Sequence, residues 1–131
     1  MSYNLTLKKA PCFTLRNQND DLISNETHIG NFTIIFFYPK DLTPGCSMEA
    51  KNFSDMKDQF LSINTHILGV SKDSVIKHQT FCKKLSLDIN LLSDIDGHMC
   101  NDYFVWSEKK NYGKTYMGID RYTFIIDPDG V

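Results

Sequence analysis

β-Branched and aromatic residues run unbroken from Phe32 to Tyr38 (Phe-Thr-Ile-Ile-Phe-Phe-Tyr), the pattern of a strand buried on both faces. Pro39 ends that strand. After the turn and cap residues Asp41, Thr43, Pro44 and Gly45, apolar positions recur at helical spacing through Ala50, Phe53, Met56, Phe60 and Leu61, with Lys57 as a gap. The pattern predicts strand, tight loop and helix, with Cys46 at the opening of the helix. A second buried run, Thr65 to Val70, stops at Ser71-Lys72-Asp73-Ser74. Asp73 or Ser74 is suited to cap a helix whose apolar positions are Val75, His78 or Gln79, Phe81 or Cys82, and Leu85.

Further on, Ile89 to Leu92 reads as a short strand, Ser93 to Gly97 as a turn and His98 to Tyr103 as a brief helix. Trp106 to Tyr116 is polar and contains Gly113, so it is expected to be a loop. Tyr122 to Ile126 is a strand, and Asp127-Pro128-Asp129-Gly130 a tight turn. Upstream, Leu5 to Leu7 and Phe13 to Leu15, the polar turn Asn17 to Asp21 and the return strand Leu22-Ile23 form an N-terminal hairpin. Asn25 to Asn31 follows as loop or a single helical turn. Strands and helices alternating in units of this size imply right-handed crossovers and a parallel central pair, hence an α/β layered domain over residues 1–131.

Composition narrows the partners. With 131 residues the chain buries a core without disulfide staples, and 41% apolar with 23% charged residues is ordinary for a globular protein. A net charge of −2 and the lack of a Lys/Arg stripe argue against nucleic acid. No stretch approaches the roughly 18 apolar residues of a membrane span. The start, Met1-Ser2-Tyr3-Asn4-Leu5, is not a secretory or transit peptide, so a cytoplasmic protein is expected. Four cysteines, Cys12, Cys46, Cys82 and Cys100, lie far apart, which in a reducing compartment favours free or catalytic thiols.

Of the four, Cys46 has the most suggestive setting. The first amides of a helix are unpaired and carry the positive end of its dipole, so a thiolate is favoured there, and the thiolate is the nucleophile. Thr43 supplies a hydroxyl three residues upstream. The same residues also suit a buried, inert cysteine behind an ordinary turn and N-cap. Arg121 stands at the head of an apolar strand, suited either to point along the end of the sheet or to pair with a surface carboxylate. Glu49, on the first turn of the helix, either accepts a hydrogen bond from an arginine or simply complements the helix dipole. Pro39 shapes the loop and shields the sulfur. Phe37 and Tyr38 read as packing residues, and Lys40 and Asp41 as solvated loop charges.

The segment Phe36-Phe37-Tyr38-Pro39-Lys40-Asp41-Leu42-Thr43-Pro44-Gly45-Cys46-Ser47-Met48-Glu49 resembles the active-site signature of the peroxiredoxins, and its Thr-Pro-Gly-Cys-x-x-Glu form is similar to the bacterioferritin comigratory protein or peroxiredoxin Q branch. Similarity extends from Ala10-Pro11-Cys12-Phe13 through Leu91-Leu92-Ser93-Asp94 to Arg121-Tyr122-Thr123-Phe124. The resemblance implies a thioredoxin-like fold, a central mixed sheet flanked by helices. It also implies a C-terminal strand and helix after Asp127–Gly130 that this sequence lacks, which would leave Tyr122–Ile126 as a bare edge. It implies a cofactor-free, thioredoxin-dependent peroxidase, expected to be monomeric, with Cys46 as peroxidatic cysteine and Arg121, Thr43, Pro39 and Glu49 around it. Many members of the branch carry the resolving cysteine at the position of Lys51. A second arrangement of the branch places it on the following helix, which Cys82 matches, 36 residues after Cys46. Cys82 beside Phe81 is also a plausible structural cysteine, and Cys12 and Cys100 read as bystanders.

Three rivals have distinct signatures. A metal site would draw on His28, His66, His78 and His98, but only His78 with Cys82 and His98 with Cys100 approach ligand spacing. A one-Cys peroxidase would need no resolving thiol, and a thioredoxin-like binding module would need no turnover at all.

Overall fold

The computed structural model describes residues 8–27, 29–111 and 113–131. Its centre is β3 (Phe32–Phe37), whose last five residues are buried. Because successive side chains of a strand point to opposite faces, Ile35 and Phe37 enter one core, with Leu68, Val70, Leu92 and Tyr103. Phe36 and the following Tyr38 enter another, with Cys46, Ala50, Phe81 and Leu91. A strand packed on both sides needs the continuous apolar run seen in its sequence.

Around β3 the chain builds β1 (Thr14–Arg16), β2 (Leu22–Ser24), β4 (Thr65–Ser71), β5 (Asn90–Ser93) and β8 (Tyr122–Ile126) into one six-stranded sheet of order β2-β1-β5-β4-β3-β8. β3, β4 and β5 are parallel, whereas β1, β2 and β8 pair antiparallel. The predicted hairpin is present as β1–β2. Leu5 to Leu7 and His28 lie outside the described residues.

Two helices, α1 (Pro44–Asp55) and α3 (Val75–Leu85), contribute to the second core. A row of aromatic rings seats α1: Phe36 stacks on Tyr38 at 5.6 Å and on Phe53 at 4.7 Å, and Phe53 meets Phe60 at 6.4 Å. Gly69 on β4 makes room for this row. A Cβ there would stand 2.7 Å from both the Phe36 ring and the Leu91 side chain. The helical pattern running on to Leu61 is divided at Met56 (φ −95°, ψ 3°), whose amide is shared between the carbonyls of Asn52 and Phe53, and α2 (Lys57–Leu61) continues beyond it. Ser74 caps α3, accepting from the Lys77 amide at 3.2 Å.

On the other face, α4 (His98–Asp102) is capped by Asp94, whose carboxylate accepts from the amides of Met99 (3.2 Å) and Cys100 (2.8 Å). Trp106 to Tyr116 is not a loop. It forms β6 (Trp106–Asn111) and the start of β7 (Lys114–Ile119), an antiparallel hairpin in which Asn111 pairs with Lys114 and Gly113 takes φ 75°. Most of β7 is exposed, so no alternation of apolar and polar residues marks it in the sequence. The hairpin is anchored at its base, where Asp120 receives Ser107 and Lys109 and Lys72 lies 4.3 Å over the Trp106 ring.

Candidate active site

The loop between β3 and α1 is fixed from both ends. Tyr38 extends the β3 ladder, donating its amide to Val70. Pro39 is exposed and cannot continue the pairing. Leu42 takes φ 65°, a left-handed conformation rare for a residue with a branched side chain, so the turn holds local strain. Thr43 is the N-cap of α1, yet its hydroxyl makes no cap bond and donates instead to the Lys40 carbonyl at 2.9 Å. Pro44 has no amide to offer, and among the described residues no side chain caps the N–H groups of Gly45 and Cys46. Cys46 is the third residue of α1 and fully buried.

Arg121 reaches this sulfur by strand register. β8 runs antiparallel to β3 with Tyr122 opposite Phe37, so the residue before Tyr122 lies beside the loop that leaves β3. The Arg121 Nη2 donates to Cys46 Sγ at 3.0 Å across 75 residues of sequence. Gly45 makes the approach possible, since a Cβ there would stand 3.1 Å from Nη2. The structure holds elements of both sequence readings of Arg121, since the guanidinium is directed at the end of the sheet and also faces a carboxylate.

Glu49 comes to the same place, with Oε1 3.8 Å from Arg121 Nη1. That separation is an ion pair and too long for a hydrogen bond. Among the described residues Oε1 has no hydrogen-bond partner although it is buried. Burial raises the Glu49 pKa above the ordinary carboxylate range, and the charge of Arg121 offsets part of the rise. The structure thus brings Cys46, Arg121 and Glu49 together, with Thr43 on the loop just before them.

Cys82 lies on α3 and packs, half-buried, against the core that contains Cys46. Both are free thiols. Burial, assisted by the negative charge of Asp41, pushes the Cys82 thiol up to about 11. Cys12 is exposed.

Asp41 corrects the sequence reading, for it is buried rather than solvated. One carboxylate oxygen accepts from the Tyr38 hydroxyl at 2.5 Å, and the other meets His78 Nδ1 on α3 at 2.6 Å. The second ring nitrogen of His78, Nε2, lies 3.0 Å from the Leu92 carbonyl oxygen. Tyr38 is consequently more than a packing residue, and its phenol is held well above the usual range, first by burial and then by Asp41. With both ring nitrogens of His78 occupied, the His78 and Cys82 spacing offers no free nitrogen to a metal. Local sequence gave no sign of this cluster, because Asp41 and His78 stand 37 residues apart.

The AhpC/TSA family profile matches residues 6–131. The chain belongs to that family. Among its AhpC/TSA relatives, the putative peroxiredoxin bcp of Coxiella burnetii is 45% identical over 124 residues, covering 95% of this chain and 82% of that protein. Peroxiredoxin Bcp of Bacillus subtilis is 41% identical over 123 residues, covering 94% and 78%. A solved cysteine-to-serine mutant of Xylella fastidiosa PrxQ superposes with a TM-score of 0.89 at 32% identity, covering 99% of this chain and 83% of the other. The bacterioferritin comigratory protein of Xanthomonas campestris gives 0.85 at 37% identity, covering 90% and 75%. This AhpC/TSA chain is accordingly a peroxiredoxin of the Bcp and peroxiredoxin Q branch, with the thioredoxin-like fold and the thiol-dependent peroxidase activity of that family. No helix among its described residues is long and apolar enough to cross a membrane.

Proposed function

We propose that Cys46 is the peroxidatic cysteine of this peroxidase and that Arg121 is the cation that stabilises its transition state. The observation that carries this reading is the 3.0 Å bond from Arg121 Nη2 to Cys46 Sγ at the opening of α1. In the first step the Cys46 sulfur attacks one peroxide oxygen, the O–O bond breaks, and the other oxygen departs as hydroxide or alkoxide and takes up a proton. Negative charge spreads over sulfur and both oxygens, and preorganised donors lower the energy of that arrangement. Arg121 and the uncapped amides of Gly45 and Cys46 are such donors. Thr43, its own hydrogen given to Lys40, has lone pairs left to accept the hydrogen of a hydroperoxide. Glu49 pairs with the guanidinium at Nη1, the nitrogen not bound to the sulfur, and Pro39 closes the loop.

The Cys46 sulfenic acid is then resolved by Cys82. Two solved forms of Xanthomonas campestris peroxiredoxin Q carry single cysteine-to-serine changes 36 residues apart, the separation of Cys46 and Cys82 here. A thioredoxin-type dithiol in the cytoplasm reopens the disulfide, since the chain has no Cys-x-x-Cys of its own. The enzyme acts as a monomer on hydrogen peroxide and on organic hydroperoxides. For the Xanthomonas bacterioferritin comigratory protein an alkyl peroxide reduction activity is described. A one-Cys cycle, with an external thiol attacking the sulfenic acid directly, is favoured by the raised pKa of Cys82 in the closed fold.

Peroxide consumption by the purified chain decides the first assignment, because Cys46→Ser should abolish it and residual turnover would refute the role of this sulfur. Cys82→Ser decides the second. It should leave a single peroxide reduction intact and stop thioredoxin-coupled turnover, and undiminished coupled turnover would establish the one-Cys cycle.

A further inference from the structure

The buried cluster that the first chemical step does not use sits between the two cysteines of the proposed cycle. Asp41 is five residues before Cys46 on the loop that positions it, and His78 is one helical turn before Cys82 on the same side of α3. The side chains of Asp41 and His78 are fully buried. The Leu92 carbonyl can only accept, so His78 Nε2 carries a hydrogen. Tyr38 donates to Asp41, and the 2.6 Å contact between Asp41 Oδ2 and His78 Nδ1 therefore contains one further proton, held on either atom. A second tie lies alongside: the Asp41 amide donates to Asp73 Oδ2 at 2.7 Å, while Asp73 accepts from Ser71 and pairs with Lys77 of α3 at 3.2 Å. The loop before α1 is thus fastened to α3 by the buried Asp41–His78 contact and to the segment before it by the part-buried Asp73 tie, and charge-assisted bonds are roughly twice as strong as neutral ones.

We propose that the Asp41–His78 pair is a latch between the Cys46 loop and the helix of Cys82, and that its release sets the rate at which these two cysteines form their disulfide. This rests on the resolving role proposed above for Cys82. A disulfide requires Cα atoms about 4.4–6.8 Å apart, and the fold holds the two sulfurs as separate free thiols on different helices. Moving either cysteine toward the other pulls on one end of the latch. Closure also needs the Cys82 thiol freed from its half-buried place beside Asp41. In the step itself the Cys82 sulfur attacks the Cys46 sulfur, the S–S bond forms and the S–O bond breaks, and hydroxide leaves with the Cys82 proton as water. Among the described residues, none of Asp41, His78 and Tyr38 is hydrogen-bonded to either sulfur, and they are positioning residues.

The test compares the unsubstituted protein with His78→Asn and with Tyr38→Phe, a milder change that keeps the ring and removes the hydroxyl that donates to Asp41 and lies 3.4 Å from His78 Nδ1. After one equivalent of hydrogen peroxide, quenched samples are analysed by mass spectrometry for Cys46 sulfenic acid, the Cys46–Cys82 bond and Cys46 sulfinic acid. Amide hydrogen exchange of the reduced protein is followed over residues 39–47 and 75–85. Closure should accelerate about tenfold in His78→Asn and about threefold in Tyr38→Phe. Sulfinic acid should fall in the same order, and the first step should stay within about twofold. Protection should drop in both segments together, whichever one carries the substitution. If His78→Asn fails to fold, Tyr38→Phe alone decides. Closure within twofold of the unsubstituted rate, or protection lost only in the substituted segment, would overturn the latch. A different failure is visible separately: if the unsubstituted protein forms no Cys46–Cys82 bond, the resolving role falls and the latch with it.

Discussion

Cys46 and Cys100 occupy the same helical position and have opposite electrostatic surroundings. Each is the third residue of its helix, α1 and α4 respectively, and each is fully buried. They lie in the two different cores of the sheet. At α4 the free amides are taken by the Asp94 carboxylate, and burial together with that negative charge drives the Cys100 thiol far above its ordinary range. At α1 no side chain among the described residues caps the amides, and the Arg121 guanidinium donates to the sulfur. Position at a helix N-terminus therefore does not by itself fix the electrostatic surroundings of a cysteine. What fills the amides, and the sign of the charge that faces the sulfur, distinguish the two sites.

Three substitutions test that difference. Arg121→Met removes the cation while keeping a long side chain, and the second-order rate with peroxide should fall by about 10²–10³, the effect of losing one preorganised donor at a site of developing charge. Stopped-flow peroxide reduction by the pre-reduced enzyme measures it, and a loss smaller than about fivefold would break the comparison. Gly45→Ala should lower the same rate about fivefold, because the added Cβ meets Nη2 at 3.1 Å and shifts it by a few tenths of an ångström. Its melting temperature should scarcely change. Asp94→Asn acts at the α4 site. It leaves one α4 amide facing an amide donor and should cost about 0.5–2 kcal/mol of stability in denaturant unfolding, with peroxide reduction unchanged within about twofold. A larger fall in rate would mean that the two faces of the sheet are coupled.

What could be read from the sequence was mostly what is local. Phe32 to Tyr38 announces a buried strand by composition, and Thr43 to Cys46 a helix opening by cap residues, since both signals lie within a few residues. The Arg121 contact needed the register of β8 on β3, which periodicity could not give; the resemblance pointed to the residue but not to the pairing that places it. Asp41 was misread because its partners, Tyr38 and His78, include one 37 residues away, and an unpaired aspartate in a loop is normally solvated. Residues 106–116 were misread because a hairpin standing away from the core has no buried face to impose alternation. The break at Met56 left no mark either, as Met56 itself is a good helix former.

The register of β8 on β3 also has a consequence for how the chain comes to life as a catalyst. Five residue pairs, from Thr33 opposite Ile126 to Phe37 opposite Tyr122, hold Arg121 over a sulfur 75 positions earlier. A slip of one residue would turn every side chain of β8 to the opposite face and carry the guanidinium away. Until that zipper closes correctly, a nascent or misthreaded molecule exposes a thiol without its cation. With Cys46 and Arg121 in the roles proposed for them, oxidant chemistry is reserved for chains that have finished folding.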